Sequence, residues 1–370
     1  MKNDARPGQV QGRIGICQTV ALALCRVPLQ NQRLFDDVGA VESSYCDDRV
    51  IVNMGQERRW RLQLARFWVC LSLLTSSATL FALAARWWWP FELLAHFRAQ
   101  YVLLLAPLAI GLLVAKRYPV AVLTGGCLIW NLTLVVPAFL DSPVDVGRSV
   151  ELRLMSSNVL TSNRDYERFL QTVREENPDV LLVMEVDHRW SQALEELRAD
   201  YPFGTSVPRS DNFGIALFSK SPVEEFRVQY IGSAGAPSLQ AVLTVGDTTV
   251  NVFGTHPLPP IGHKTELRNE QLLAVADLVG VLTGPTILAG DLNTTPWSPF
   301  FRDVLHRSGL RDSRLGFGVQ ATWPSYLGIA GIPIDHVLVS DEISVIGRHV
   351  GSAFGSDHRS VITDLLIQRK

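Results

Sequence analysis

The sequence predicts an α/β fold, two sheets packed together with helices outside, joined to an N-terminal membrane region. Three observations predict it. From residue 150 onward, short strand-like apolar runs are interspersed with helical stretches. Ahead of them, residues 58–140 hold three long apolar runs. Charge is also unevenly placed. Residues 151–370 carry 19 Lys and Arg against 26 Asp and Glu, a formal net of −7, whereas the whole chain is at −2.

Residues 1–57 carry no clear pattern. Gly15 to Val27 is apolar but too short to span a bilayer, and no signal-peptide cleavage pattern stands out. Met54 directly precedes the basic flank Arg58, Arg59, Arg61 and Arg66, which is the expectation for translation beginning there. Phe67 to Ala85, Tyr101 to Ala115 and Pro119 to Leu140 then form the membrane region, about three transmembrane helices. The first and third match the roughly 20 residues a bilayer crossing needs; the second is shorter and contains Pro107. Trp87, Trp88 and Trp89 read as an interfacial aromatic belt. The basic flank, with Lys116 and Arg117, belongs on the cytoplasmic side, although Arg86 and Arg98 weaken the contrast. Three crossings put everything after Asp141 on the outer face; two would leave it inside.

Residues 141–149 are a polar linker, and 150–370 read as the soluble domain. Strands are expected at Glu151–Leu160, Asp179–Met184, Phe213–Ser219, Gln240–Val245, Thr249–Thr255, Pro285–Ala289, Ile334–Val339, Ser344–Phe354 and Ser360–Ile367. Helices are expected at Tyr166–Glu176, Arg189–Leu197, Thr265–Leu282 and Pro299–Ser308. All five cysteines precede this domain, which excludes a disulfide or a Cys-based zinc site within it.

The strands repeatedly meet a polar residue that a core would not choose: Asn158, Glu185, His256, Asp291 with Asn293, Asp335, and Asp357 with His358. Each alone has an ordinary explanation, such as an Asx turn at Asn158 or a helix-capping acid at Glu185. Six such sites at strand ends point instead to chemistry. As a set they also make sense. Glu185, Asp291 and Asp357 are oxygen ligands suited to Mg²⁺ or Mn²⁺. His256 and His358 can carry protons, Asp335 can pair with His358, and Asn158 and Asn293 donate neutral hydrogen bonds. That kit fits metal-assisted attack of water on a phosphorus ester.

The motifs Ser-x-Asn-Val at 158, Val-Met-Glu-Val at 185, Thr-His-Pro at 256, Gly-Asp-Leu-Asn-Thr-Thr-Pro at 291, Ile-Asp-His-Val at 335 and Gly-Ser-Asp-His-Arg at 358 resemble, in order, the endonuclease/exonuclease/phosphatase superfamily. The resemblance implies a four-layer α/β sandwich of DNase-I-like type. It also implies roles. Glu185 resembles the metal-binding glutamate and Asn158 the asparagine that holds the site's geometry. Asp291 resembles the residue that orients or deprotonates water, with Asn293 its transition-state partner. Asp357 matches the acid before the last histidine. His358, supported by Asp335, matches the phosphate-contacting histidine, and His256 the one that assists the leaving group. The N-terminal helices resemble those of bacterial membrane-anchored members, including the group linked to glycopeptide resistance, for which a lipid pyrophosphate has been proposed as substrate.

Three functions follow as expectations. The first is a membrane-anchored, Mg²⁺-dependent phosphoesterase outside the cytoplasm, acting on a lipid-linked or other phosphoester at the bilayer. The second is a tethered nuclease acting on DNA or RNA, against which the acidic domain argues. The third is a non-catalytic scaffold, against which the complete set of catalytic groups argues. Specificity is expected in Tyr201–Asn212, Pro257–Lys264 and Leu315–Ile332, and Trp297, Trp323 and Tyr326 are candidates for either the cleft or the core.

Overall fold

The structure, a computed structural model, describes residues 44–140 and 147–369. Residues 1–43 of the N-terminal segment and 141–146 of the linker lie outside the described residues. The chain divides into two compact units, Met1–Gln63 and Leu64–Lys370.

Helix α1 (Ser44–Phe81) carries the first apolar run, and α2 (Trp89–Ala95), α3 (Arg98–Val114) and α4 (Tyr118–Val135) follow. Leu62–Ala84 and Tyr118–Phe139 are long and apolar enough to cross a membrane. The second predicted run is a bent pair, α2 meeting α3 at 65°. Helix α3 runs antiparallel to α1. Its Gly111 lies so close to Trp68 that a Cβ would approach the indole within 2.7 Å, while Arg98 at its other end donates to the Thr79 carbonyl at 3.4 Å. Helix α4 runs alongside α1: Asn131 Nδ2 donates to Thr79 Oγ1 at 3.0 Å, one turn beyond the contact of Cys127 Sγ with the Ser76 carbonyl. Arg98 also donates to Asn131 Oδ1 at 3.2 Å and is buried among the helices.

The remainder is two six-stranded sheets. Strands β1 (Ser149–Asn158), β2 (Val180–Met184), β3 (Phe203–Val207), β4 (Ile215–Ser219), β11 (Ile343–Val350) and β12 (Val361–Gln368) form one, in the order β11-β12-β1-β2-β4-β3. Strands β5 (Val223–Tyr230), β6 (Pro237–Val245), β7 (Thr248–Thr255), β8 (Thr286–Asp291), β9 (Arg311–Asp312) and β10 (Asp335–Val339) form the other, in the order β5-β6-β7-β8-β10-β9. Alternation along the strands gives each sheet two apolar faces. Leu152, Leu154, Leu182 and Met184 pack between the sheets against Val250, Val252, Ile287, Ala289 and Val337. On the outer face of the first sheet, Leu181, Val183 and Phe218 pack beneath α5 (Tyr166–Glu176) and α6 (His188–Leu194), through Phe169, Val173 and Trp190. On the other, Phe253, Leu288 and Leu338 pack beneath α7 (Lys264–Gly280) and α8 (Pro299–Ser308), through Leu272, Val275 and Phe301. The result is the four-layer sandwich that the resemblance implies.

Local sequence explains the helix ends. Helix α5 stops at Asn177, in the left-handed region before Pro178. Ser298 caps α8 by accepting from Phe300 N, and Gly309 closes it with φ +68°. Five elements depart from expectation. Strands β3, β5 and β9 were not predicted; all lie at sheet edges, where half-exposed residues break the alternation that marks a strand. Helix α6 starts one residue early because Asp187, not Glu185, caps it, accepting from Trp190 N at 2.8 Å. Strand β11 ends at Val350 rather than Phe354, releasing the loop that carries Asp357 and His358.

The sandwich is joined to the helices chiefly through α2. Glu92 and Arg268 form a wholly buried ion pair at 2.5 Å, and Ser298 Oγ donates to the other Glu92 oxygen at 2.7 Å. His96 Nδ1 lies 2.9 Å from Thr295 Oγ1. Gln100 Nε2 donates to the carbonyls of Ala330 and Gly331, at 2.9 and 2.7 Å. Trp297 belongs to this joint rather than to the cleft, donating Nε1–H to the Leu134 carbonyl at 3.1 Å.

Candidate active site

Each sheet has one parallel strand pair at its centre, β1–β2 and β7–β8. Their carboxyl ends face the same edge of the sandwich and deliver Asn158, Glu185, His256 and Asp291 together. Antiparallel register then sets Asp335 directly opposite Asp291. The approach depends on Gly290, whose φ is +146° and where a Cβ would stand 1.9 Å from the Thr255 carbonyl. No other residue fits there, so Gly290 is what allows Asp291 to lie beside His256.

Asn158 Nδ2 bridges the two carboxylates, donating to Glu185 Oε1 at 3.0 Å and Asp291 Oδ2 at 3.2 Å. Glu185 has φ +61°, a left-handed conformation that costs a non-glycine residue about 1–3 kcal/mol. Thr161 holds it there, its backbone N–H donating to Oε2 and its hydroxyl to the Glu185 carbonyl, both at 3.0 Å. Asp291 Oδ1 accepts from Asn293 N at 2.9 Å. Two imidazoles point at Oδ2: His256 Nε2 at 3.4 Å and His358 Nε2 at 3.6 Å. Asn293 Nδ2 donates to the Pro257 carbonyl at 2.9 Å and lies 3.4 Å from His256 Nε2. His358 Nδ1 meets Asp335 Oδ2 at 2.9 Å, the pairing expected from sequence. His256, for which no acid was predicted, pairs with Asp291 itself.

The electrostatics follow from this crowding. Burial opposes a charge on His358, but Asp335, Asp291 and Asp357 outweigh it and push the ring up to about 10. Burial also opposes charging of His256, yet Asp291 and then Glu185 raise it. Asp291 is the reverse case. Burial favours its neutral form, and the two imidazoles with the Asn293 N–H bring it down to about 2. His336, in the same motif as Asp335, takes no part. It packs on Phe301, donates Nε2–H to the Thr294 carbonyl at 2.8 Å, and burial lowers it to about 4.

Among the described residues, Asp291, Asp335 and His358 form a group that could hold a cation, with ligand atoms all within 4.8 Å of one another. Asp335 Oδ2 and His358 Nδ1 already satisfy each other, so this trio is better suited to holding a proton than an ion. The three predicted ligands Glu185, Asp291 and Asp357 do not form such a group among the described residues, although Glu185 and Asp291 share the Asn158 amide and Asp357 lines the same cavity with a buried Oδ1 that has no partner. Asp357 Oδ2 is fixed by Trp323 Nε1 at 3.0 Å, so Trp323 is a cleft residue. Tyr326 is 80% exposed and belongs to neither core nor cleft lining.

Thr161 and the residues of α2 were not found from sequence. A threonine three positions after an asparagine carries no signal, and α2 lies outside the motifs. Yet Leu93, His96 and Phe97 line the same cavity of about 550 Å³ as the catalytic groups, with Pro259, Pro260, Ile261 and Ile332.

No curated protein matches the sequence. Among solved structures, the endonuclease/exonuclease/phosphatase from Bacteroides vulgatus is similar at 17% identity and a TM-score of 0.50, over 59% of this chain and 99% of that one. A family protein from Bacteroides thetaiotaomicron is similar at 19% identity and a TM-score of 0.50, over 60% and 100%. TDP2 of D. rerio, complexed with a single-strand DNA product, is similar at 17% and 0.50, over 58% and 98%. At these identities the likeness is one of fold. The model of the endonuclease/exonuclease/phosphatase family matches residues 155–358, from within β1 to His358 and so across every strand end described above. The chain therefore belongs to the endonuclease/exonuclease/phosphatase family, metal-dependent hydrolases of phosphoester bonds.

Proposed function

We propose that this chain is a membrane-anchored phosphoesterase that hydrolyses a phosphoester or pyrophosphate carried on a lipid. The observation that carries this reading is the composition of the cavity. Its catalytic groups share one space with Leu93 and Phe97, at the turn between α2 and α3, and with Pro259, Pro260, Ile261 and Ile332. An apolar wall continuous with bilayer-length helices suits a substrate whose phosphate is attached to a hydrocarbon. The net charge of −7 over residues 151–370 suits nucleic acid poorly.

Asp291, a carboxylate at any working pH, orients the attacking water and takes its proton. His358, charged below about 10 and fixed by Asp335, donates Nε2–H to a phosphoryl oxygen. Asn158 and Asn293 offer neutral N–H groups to the developing charge, and His256 stands where it can protonate the leaving oxygen. A divalent ion held by Glu185, Asp291 and Asp357, Mg²⁺ or Mn²⁺ by its all-oxygen set, would polarise the phosphorus–oxygen bonds.

An outer-face location is part of the proposal. Every contact between helices and sandwich named above comes from residues 92–100 and 134, in α2, the start of α3 and the end of α4. Arg66, near the start of the apolar span within α1, and Lys116 and Arg117, between α3 and α4, lie toward the opposite end, which the positive-inside rule assigns to the cytoplasm. Helix α3 spans about 25 Å over its 17 residues, short of the roughly 30 Å core by itself, so a third crossing counts α2 and α3 as one bent span.

The test is phosphate release by the full chain in vesicles. Lysophospholipid, sphingomyelin, polyprenyl pyrophosphate, plasmid DNA and RNA are supplied with Mg²⁺, Mn²⁺ or EDTA. Metal-dependent turnover of a lipid phosphate, lost in Asp291→Ala and His358→Ala, is expected. Nicking of DNA without lipid turnover would replace this reading with that of a tethered nuclease.

A further inference from the structure

Most large apolar side chains exposed in the described residues belong to the helices, as a bilayer requires. On the sandwich they are few, and they gather. Tyr326 is 80% exposed, Leu327 48% and Ile329 98%, all within one short helical segment, Ser325–Ala330. Three such residues in four positions is not what a water-facing loop selects.

This segment touches the helices on one side and the site on the other. Its last carbonyl, at Ala330, accepts from Gln100 in the first turn of α3, at the same end of the bundle as exposed Trp87 and Trp88. Its first residue is tied to the catalytic loop: Ser325 N donates to the Asp357 carbonyl at 2.7 Å and Ser325 Oγ to the Ser356 carbonyl at 2.8 Å. Trp323, two residues earlier, holds the Asp357 carboxylate. Ile261, 57% exposed, lines the cavity from another loop.

We infer that Ser325–Ala330 seats in the leaflet beside the catalytic domain, with Tyr326, Leu327 and Ile329 among the lipid chains, making one rim of the cavity lipid-facing. The occupant is a lipid surface rather than a protein because the segment is continuous with helices long and apolar enough to span a bilayer. Tyrosine beside aliphatic residues is also the composition that settles at the headgroup boundary. A substrate then keeps its hydrocarbon in the bilayer while its phosphate reaches Asp291. The inference rests on the membrane-anchored reading above.

The experiment places a cysteine at Ile329 or Tyr326 of the full chain and labels it with the environment-sensitive fluorophore NBD. The chain is reconstituted in phosphatidylethanolamine–phosphatidylglycerol vesicles with or without shallow doxyl-labelled lipid. The emission of a parallel sample carrying only the native cysteines is subtracted. Val281→Cys is the control, 78% exposed just beyond the end of α7. Emission at 329 and 326 about two-fold brighter than at 281, and quenched by the doxyl lipid, is the expected result. Water-like, unquenched emission at both positions in a chain that resists carbonate extraction would overturn this inference alone. Loss of the chain on carbonate extraction would overturn the anchor itself.

Discussion

Replacing Glu92 by leucine tests whether α2 is a working part of the catalytic domain. Glu92 is fully buried between α7 and α8, where one oxygen receives Arg268 and the other Ser298. Arg268 is equally buried, and neither its Nε nor its Nη1 has another partner. Burial pulls the Arg268 pKa down against the pull of Glu92, as expected of a cation that needs its anion. Glu92→Leu therefore strands a buried charge and should cost about 3–5 kcal/mol. Removing both charges, Glu92→Leu with Arg268→Met, should recover most of that loss, since an apolar replacement of a buried pair is often neutral. Thermal unfolding of the full chain in detergent, run as a double-mutant cycle, reads the difference. Turnover should follow stability, because Ser298 and Thr295 lie in the loop that leads from Asn293 into α8. A single Glu92→Leu change within about 1 kcal/mol of the parent, outside the range for a broken buried pair, would refute the reasoning.

Asp291→Asn should lower turnover by about 10²–10⁴-fold with the fold intact, measured as kcat on whichever substrate the vesicle assay turns over and by circular dichroism. Gly290→Ala should destabilise by at least about 1–3 kcal/mol, because both its φ of +146° and the Thr255 carbonyl forbid a Cβ; denaturant unfolding reads it. The His358 pKa is raised on folding from 6.5 to about 10, so its pairing stabilises fully below 6.5 and is lost as pH rises through about 10. Unfolding in EDTA should show that alkaline loss, and Asp335→Asn should shift it toward neutral pH. Chelation should abolish activity, and Mg²⁺ or Mn²⁺ should restore it.

The clustering of the candidate site residues was legible because they stand at strand ends. A buried strand announces itself by an apolar run, and a carboxylate or histidine where the run ends has few structural reasons to be there. Asn158, Glu185, His256, Asp291, Asn293, Asp357 and His358 all line or bridge one cavity, and Asp335 supports it through His358. What sequence could not supply is pairing across the chain. His256 shares Asp291, 35 residues on, and Thr161 cradles Glu185 across β2, neither pairing leaving a local pattern. The edge strands β3 and β5 were hidden for a related reason, since a strand with one free side needs no clean alternation.

The joint between helices and sandwich was the least legible part, and it bears most on function. Trp89-Pro90-Phe91-Glu92 reads as an interfacial flank until Glu92 is seen to pair with Arg268, 176 residues away. A glutamate among tryptophans at a membrane boundary is costly unless it has a partner, so its presence there implies one. The same logic extends to His96 and Gln100, each polar, each at the helix end, and each bonded to the sandwich. Polar residues at this end of the apolar helices thus mark a docking surface rather than solvent exposure. They hold the apolar turn of Leu93 and Phe97 against the catalytic cavity. An anchor joined only by a flexible linker would raise the local concentration of a bilayer substrate. On the membrane-anchored reading proposed above, an anchor that also lines the cavity would shape which substrate enters it.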